Sequence, residues 1–334
     1  MSYYSNAHYR VAYQGYIYYA PQATRLIEPH TAEDPEAQED VSNLIGYCTL
    51  PGWQEAGNYM PVEAIGSMRD LDLIPVRKDC SLSTRILVAD GTFLRYFVRN
   101  HVEPCGEQQF EEAPTAQCYG GLCYHTIEFG TGSEFCDPWA KQAIDCLPNT
   151  LRIEFAEGQP VTATVELEAM CFIDIDEESV QATAVPTAQV LHWKDFQWLG
   201  SDGTDYSPLM ARVSVAVTNN IQRIGMRQQI GALGAEAAVS RTPRALRPGT
   251  EKVQLQNQLY DLPPASFANS NNWGTLHLRA EEVGTGAGRQ YLDIAISYAY
   301  LTRLSGGQAQ AGQPITFAAD NASRVIAITS GLTT

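Results

Sequence analysis

Alternation of apolar and polar side chains is the dominant pattern along the chain. Residues 151–155 alternate apolar and charged positions, a Gly-Gln-Pro turn follows, and residues 162–169 alternate again, with Val165 and Leu167 on the apolar face. A period of two residues is typical of a strand with one buried face. The stretch 151–169 is therefore predicted to be a β-hairpin.

The clearest strand pattern is RVSVAVTNN, residues 212–220, which contains no nucleophile, histidine, cysteine or carboxylate. Its valines, Val213, Val215 and Val217, alternate without a break with short side chains. We expect the valines to face a core and the short side chains, Ser214 among them, to face outward.

Further strands are predicted towards the carboxyl terminus. A strand is expected at 189–199, and a long hairpin at 274–304 with Ile294 and Ile296 on its inward face. The segment 315–329 adds a last strand pair. In the hairpin, the glycine-rich VGTGAG is interpreted as the turn; a phosphate-binding loop needs a helix after it, and here a strand follows.

Helix signals are few and short. Thr92 is a possible cap for a helix over 93–98, and Asp137-Pro138 predicts a short helix over WAKQAIDC, residues 139–146. The fold class predicted from these patterns is mainly β, with two β-sandwich or barrel-like halves and few short helices.

Charge and cysteine content divide the chain near residue 184. Residues 1–184 hold 28 acidic and 10 basic side chains, a net of −18, whereas 185–334 hold 10 and 12, a net of +2. All eight cysteines lie between Cys48 and Cys171. We expect a first half at 45–184 and a second half at 185–334. The acidic excess indicates either plain solubility or a surface that repels nucleic acid.

Residues 1–44 form a separate segment in this scheme. Seven tyrosines fall within the first 21 residues, which is typical of an arm lying on another surface or of an aromatic cluster packed locally. Residues 31–43 are acidic without an apolar face, so we expect a solvated loop or a segment that a partner orders. No secretory signal pattern and no membrane-length apolar run is present, which predicts synthesis in a reducing cytoplasm without membrane association.

Candidate chemistry is confined to the cysteine-bearing stretch 101–146. Cys105, Cys118, Cys123 and Cys136 are separated by twelve, four and twelve residues, with a histidine among them. Zinc binding, a disulfide formed after release from the cell, and simple thiols all stay open, because the two-residue spacing typical of zinc knuckles is absent. The other four cysteines are expected in the core.

No catalytic constellation is visible elsewhere in the sequence. Histidines at helical spacing, a zinc-protease motif and a serine-nucleophile elbow are all absent. We therefore expect no cofactor and no enzymatic activity. A metal-dependent enzyme centred on Cys105–Cys136 is kept as a minor alternative.

Several stretches resemble the longer form of the tail tube (major tail) proteins of bacteriophages with long, non-contractile tails. The resemblance lies in the order and spacing of residues 74–100, 145–169, 206–225 and 292–320, and covers most of residues 45–320. The stretch 101–146 looks like an insertion relative to that pattern.

The resemblance implies a structural protein of the virion tail, made in the host cytoplasm. Subunits of this family join edge to edge into rings, rings stack into a hollow tube, and DNA passes through the lumen. A long chain of two halves implies a trimeric ring of pseudo-sixfold appearance, with a hexamer as the alternative. Implied partners are other copies of the chain, the tape measure protein and DNA in the lumen, and tail terminator and tail tip proteins.

A β-sandwich binding module, for capsid decoration or carbohydrate recognition, is the alternative function; the abundance of tyrosine and tryptophan motivates it. For tube assembly we expect the wall to be built by the strands that carry Val213, Val215, Val217, Val165 and Leu167 and by the hairpin that carries Ile294 and Ile296.

Overall fold

The fold was analysed in a computed structural model of the chain. It describes residues 15–22, 41–49, 51–62, 72–89, 91–99, 118–119, 122–134, 138–183, 189–200, 203–226, 243–260, 275–281, 290–297, 300–306, 317–323 and 325–332. The architecture is mainly β and antiparallel, which confirms the predicted fold class.

The strands follow one another with short 3-10 helices between some of them. The first eleven strands are β1 (Gly15–Pro21), β2 (Asn43–Leu44), β3 (Tyr47–Cys48), β4 (Gly52–Val62), β5 (Asp72–Leu87), β6 (Cys118–Tyr119), β7 (Leu122–Cys123), β8 (His125–Thr131), β9 (Trp139–Ala156), β10 (Thr162–Ala169) and β11 (Cys171–Ile175). The remaining strands are β12 (Phe196–Leu199), β13 (Met210–Thr218), β14 (Gln222–Met226), β15 (Pro243–Arg247), β16 (Lys252–Leu259), β17 (Thr275–Glu281), β18 (Gln290–Ser297), β19 (Tyr300–Gly306), β20 (Phe317–Ser323) and β21 (Val325–Leu332). The 3-10 helices are Phe93–Phe97, Glu177–Ser179, Trp193–Asp195 and Ser207–Leu209.

A large central sheet organises the molecule. Its strands lie in the order β19-β20-β16-β13-β9-β10-β5-β3, and β4 pairs with β5 on the same side as β3. β13 pairs antiparallel with β9, with Val215 opposite Ile153. The sheet therefore continues from the part of the chain before residue 184 into the part after it.

β9 is the longest strand and changes partners along its length. Up to Cys146 it pairs with β8 and β11, and from Leu147 onward with β10 and β13. Asp145 sits at the change with φ of 50°, a left-handed conformation that is uncommon outside glycine. Its buried carboxylate accepts a hydrogen bond from Gln22 Nε2 at 2.9 Å, which ties the bend to the end of β1.

The core lies between the central sheet and the layers that cover it. A four-stranded sheet in the order β12-β17-β18-β21 contributes Trp198 and Ile294 to the same cluster of buried side chains as Phe155 and Val215 of the central sheet. The predicted inward positions are all buried: Val165, Leu167, Val213, Val215, Val217, Ile294 and Ile296.

The hairpin predicted at 151–169 is confirmed as β9 and β10, but the helix predicted over 139–146 is wrong. Those residues begin β9, and residues 142–148 are buried without interruption. Their side chains are compatible with a helix, but β8 and β11 pair with this segment, one on each edge. Cross-strand pairing and burial outweigh the small differences in local propensity.

The carboxyl-terminal strands divide differently from the prediction. β17 and β18 form the expected hairpin in the four-stranded sheet, whereas β19 pairs with β20 in the central sheet. β20 and β21 also lie in different sheets and do not pair with each other, so the predicted last strand pair is wrong. The strand expected at 189–199 is shorter than predicted, because β12 covers only Phe196–Leu199 and follows the 3-10 helix Trp193–Asp195. In both carboxyl-terminal cases the chain crosses between layers within two residues, which alternation alone does not reveal.

The tyrosine-rich segment is described only from residue 15. Tyr16, Tyr18 and Tyr19 are buried in β1, which pairs with β8 along its whole length. Local packing, rather than an arm on a neighbour, therefore accounts for these three tyrosines. Residues 1–14 and most of the acidic segment 31–43 lie outside the described residues.

The predicted short helix is confirmed as the 3-10 helix Phe93–Phe97, with Phe93 and Phe97 in the core. No helix in the described ranges is long and apolar enough to cross a membrane.

Candidate assembly surface

The side of the central sheet opposite the core carries short and polar side chains and is called the polar face below. Directly paired residues project on the same side of a sheet, so the strand registers define its rows. One row includes Arg85, Thr164, Arg152, Ala216 and Gln254, on β5, β10, β9, β13 and β16. The next row contains Leu87, Thr162, Glu154, Ser214 and Gln256. The third contains Ala156, Arg212 and Gln258.

Ser214 faces outward from the core, as predicted, but another side chain of the same face covers it. It is only 4% exposed, and its hydroxyl accepts a hydrogen bond from Arg152 Nε at 3.1 Å. The guanidinium of the neighbouring strand lies over the small side chain and covers it.

Glu154 is the centre of a small ionic network on the polar face. Its Oε1 lies 2.8 Å from Arg152 Nε and 2.8 Å from Arg212 Nη2. Both guanidinium side chains are nearly half exposed, so the attraction is screened by water and contributes little to folding. One carboxylate shared by two guanidinium groups leaves a positive charge on this part of the face.

A cavity of about 440 Å³ opens on the polar face beside this network. It is lined by strands β3, β5, β9, β10 and β13 and by the turn after β9. The charged side chains in its wall are Arg85, Glu154 and Arg212. A smaller depression of about 220 Å³ adjoins it, sharing Arg212 and adding Arg152.

The central sheet ends in β4 on one side and β19 on the other. Within the described residues, β4 pairs with β5 alone and β19 with β20 alone. Trp53 on β4 is 42% exposed and Leu304 on β19 is 40% exposed. Trp53 is opposite buried Leu82, and Leu304 is opposite buried Ala319. Both exposed apolar side chains therefore lie on the core side of the sheet, one at each edge.

Trp53 is held in place by its own chain. Its ring contacts Phe172 edge to face at 5.7 Å, and the Lys141 ammonium lies 5.1 Å from its centroid. Trp198 is fully buried, and Trp139 and Trp193 are partly buried against the core. Among the described tryptophans, only Trp53 offers the exposed ring that a carbohydrate platform needs.

The cysteines separate into two groups, as far as they are described. Cys123 is disulfide-bonded, and Cys118 is its direct cross-strand neighbour in the β6–β7 pair. Of the three states left open for the cysteine stretch, the disulfide therefore applies to Cys123. No metal-binding group of His, Cys, Asp and Glu occurs within the described residues; Cys105 and Cys136 lie outside them.

The other four cysteines are free thiols: Cys48, Cys80, Cys146 and Cys171. The last three are buried as predicted, and Cys48 is partly buried in the wall of the polar-face cavity. Burial raises the pKa of Cys48 to about 12, so its sulfur is neutral at physiological pH and a poor nucleophile.

A buried carboxylate elsewhere has a structural explanation. Glu128 accepts hydrogen bonds from Tyr16 Oη at 2.7 Å and from Gln142 Nε2 at 2.8 Å. Burial, together with the Glu128 carboxylate, raises the pKa of Tyr16 well above its usual value. The three side chains join β1, β8 and β9 and hold these strands together by hydrogen bonds.

The structure places the predicted assembly residues inside the subunit. Val165, Leu167, Val213, Val215, Val217, Ile294 and Ile296 support the strands from the core and are too buried to contact another copy. The exposed positions that sequence reasoning missed are Trp53, Leu304, Arg85 and Arg212. An aromatic or leucine in a strand pattern gives no sign of being at an edge, because edge position depends on the full strand order.

Comparison of the chain with protein-family models and with curated proteins gave no match.

Proposed function

We propose that this chain is the repeating structural subunit of a tail tube like that of long, non-contractile-tailed bacteriophages. Copies join edge to edge into rings, the rings stack, and DNA passes through the channel into the host. The observation that carries the proposal is that, among the described strands, the central sheet ends in a strand with no outer partner at each edge, and each of these strands has an exposed large apolar side chain on the same face.

Open edges are normally a liability, because unpaired backbone groups recruit other strands. Placing β19 of one copy beside β4 of the next would continue the sheet and satisfy both edges. Leu304 and Trp53 would then lie on one side of the joint and extend the apolar face across it. Such a head-to-tail contact between different surfaces closes into a ring when the rotation per copy is right.

The strand order favours three copies in a ring over six. Within one chain, β13, β16, β20 and β19 form one part of the central sheet, and β9, β10, β5 and β3 with β4 form the other. Three chains would supply six such parts, giving a trimer of pseudo-sixfold appearance; a hexameric ring is the alternative.

In this proposal the polar face lines the channel. Its Ser, Thr, Gln and Ala side chains are short or uncharged and suit a wall along which a polymer slides. The channel would hold the tape measure protein before ejection and DNA during it, and the tube ends would bind terminator and tip proteins. The chain would have a structural role in the virion and catalyse no reaction.

Changing an edge residue tests the proposed joint. Leu304→Lys is expected to reduce self-association at least about tenfold, because it buries a charge in the joint. The matched control is Ile224→Lys on β14, since Ile224 is also 40% exposed but belongs to neither edge strand of the central sheet. Sedimentation velocity over a concentration series, with negative-stain imaging, measures the effect.

A compensating change sharpens the test. Leu304→Lys combined with Trp53→Glu in one chain places opposite charges at the joint and is expected to recover part of the assembly. Equal losses for Leu304→Lys and Ile224→Lys would contradict the proposed edge contact.

A further inference from the structure

The polar-face cavity has a charge opposite to that of the molecule. The protein carries a net charge of −16. Glu154 is the single carboxylate among the eleven residues that line the cavity, all of them in the described part of the chain, whereas Arg85 and Arg212 supply two guanidinium groups. Arg152 borders the adjoining depression. The cavity and the depression together thus carry three guanidinium groups and one carboxylate.

The positive charges approach the cavity from different sides. Arg85 is on β5 and Arg212 on β13, three strand spacings apart, which is about 14 Å between the strand axes. Arg212 is paired with Glu154, whereas the Arg85 guanidinium makes no ion pair with any described residue. An anion between them would meet donors from two directions.

The remaining wall is neutral and supplies hydroxyl groups from Tyr47, Thr49 and Thr162. A planar carboxylate is satisfied by one guanidinium fork, whereas a tetrahedral phosphate has oxygens directed to several sides at once. The cavity volume of about 440 Å³ is within the range of small-ligand sites. The positive charge, the two directions of the donors and the cavity volume all fit a tetrahedral anion.

We propose that this cavity binds a phosphate group through Arg85 and Arg212, with Arg152 and the wall hydroxyls in support. The phosphate has two possible sources, free phosphate and the phosphodiester backbone of a nucleic acid. The second source rests on the proposed function, in which the polar face lines a DNA channel. Contact there is weak, because the arginines are half exposed to water and Glu154 neutralises part of their charge.

Binding of a fluorescein-labelled oligonucleotide to the full chain, followed by anisotropy at low salt, tests the proposal. The double variant Arg85→Gln/Arg212→Gln is expected to weaken binding at least about tenfold and, because one phosphate contact is lost, to reduce the slope of log affinity against log salt by about 1. Arg247→Gln/Arg279→Gln removes the same charge from other strands and is expected to leave affinity within about twofold.

Competitors identify the ligand class and its source. Inorganic phosphate is expected to displace the oligonucleotide, and polyglutamate at equal charge is expected to be at least about tenfold weaker. Displacement by polyglutamate as readily as by phosphate would overturn the phosphate assignment. Binding to free phosphate without binding to oligonucleotide would retain the site and overturn the nucleic-acid source.

Equal affinity of the two double variants for the oligonucleotide, or no binding of either phosphate source by the unaltered chain, would overturn the inference. Ring formation is read separately by electron microscopy of the same samples. Rings without phosphate binding would remove this inference alone, whereas phosphate binding without rings would remove the proposed function.

Discussion

Val215→Asp is expected to destabilise the folded chain by about 4 kcal/mol or more. Val215 is 1% exposed, and its direct neighbours across the two flanking strands are Ile153 and Leu255. A carboxylate there would meet no cation and no hydrogen-bond donor of a side chain in its row. The protein would have to keep an unpaired charge in the core or bind a proton, and both cost free energy.

Urea denaturation followed by tryptophan fluorescence measures this effect, because Trp198 lies in the same core cluster. The matched control is Ala216→Asp, one residue along β13, where the side chain lies on the polar face opposite Arg152. We expect that change to alter the free energy of unfolding by less than about 1 kcal/mol. Similar losses for the two variants would show that the core and polar faces of β13 have been assigned the wrong way round.

Asn219→Ala is expected to cost about 3 kcal/mol of stability. Asn219 is fully buried just after β13. Its side-chain Nδ2 donates to the carbonyl oxygens of Phe97 at 2.9 Å and Pro148 at 3.1 Å. Alanine leaves both carbonyls without this donor in a place that water does not reach. The change therefore removes the side-chain hydrogen bonds that link the end of β13 to the 3-10 helix Phe93–Phe97 and to β9.

Asn220→Gly is the control for this prediction. Asn220 has φ of 51°, which glycine adopts without strain, and its side chain donates to the Thr250 carbonyl near the surface. We expect a loss below about 1 kcal/mol when both variants are compared by chemical denaturation. Equal costs for the two asparagines would refute the role assigned to Asn219.

Period-two alternation predicted the inward residues of β9, β10, β13 and β18 correctly. Each of these strands buries one face, so its register follows from the positions of its own apolar residues. Residues 139–146 gave no alternation to follow, because most of that segment is buried on both sides, and the Asp137-Pro138 signal led instead to the wrong prediction of a helix. Alternation also joined β18 to β19 and β20 to β21, since connections of two residues and one residue leave no local pattern.

The polar-face site depends on pairing between segments distant in sequence. Arg85 and Arg152 occupy one row only because β10 lies between β5 and β9 and fixes both registers. Likewise, Trp53 and Leu304 become edge residues only once the whole strand order is known. The charge asymmetry of the sequence predicted an acidic surface, yet Arg85, Arg152 and Arg212 meet a single carboxylate, Glu154, around the polar-face cavity and its adjoining depression.

An end-on class average of the purified protein at high concentration tests the central claim most directly. We expect closed rings with a central hole, threefold symmetry and six similar lobes, because each copy supplies two parts of a continuous sheet. Compact monomers at every concentration, even with a tail-tip template present, would contradict it.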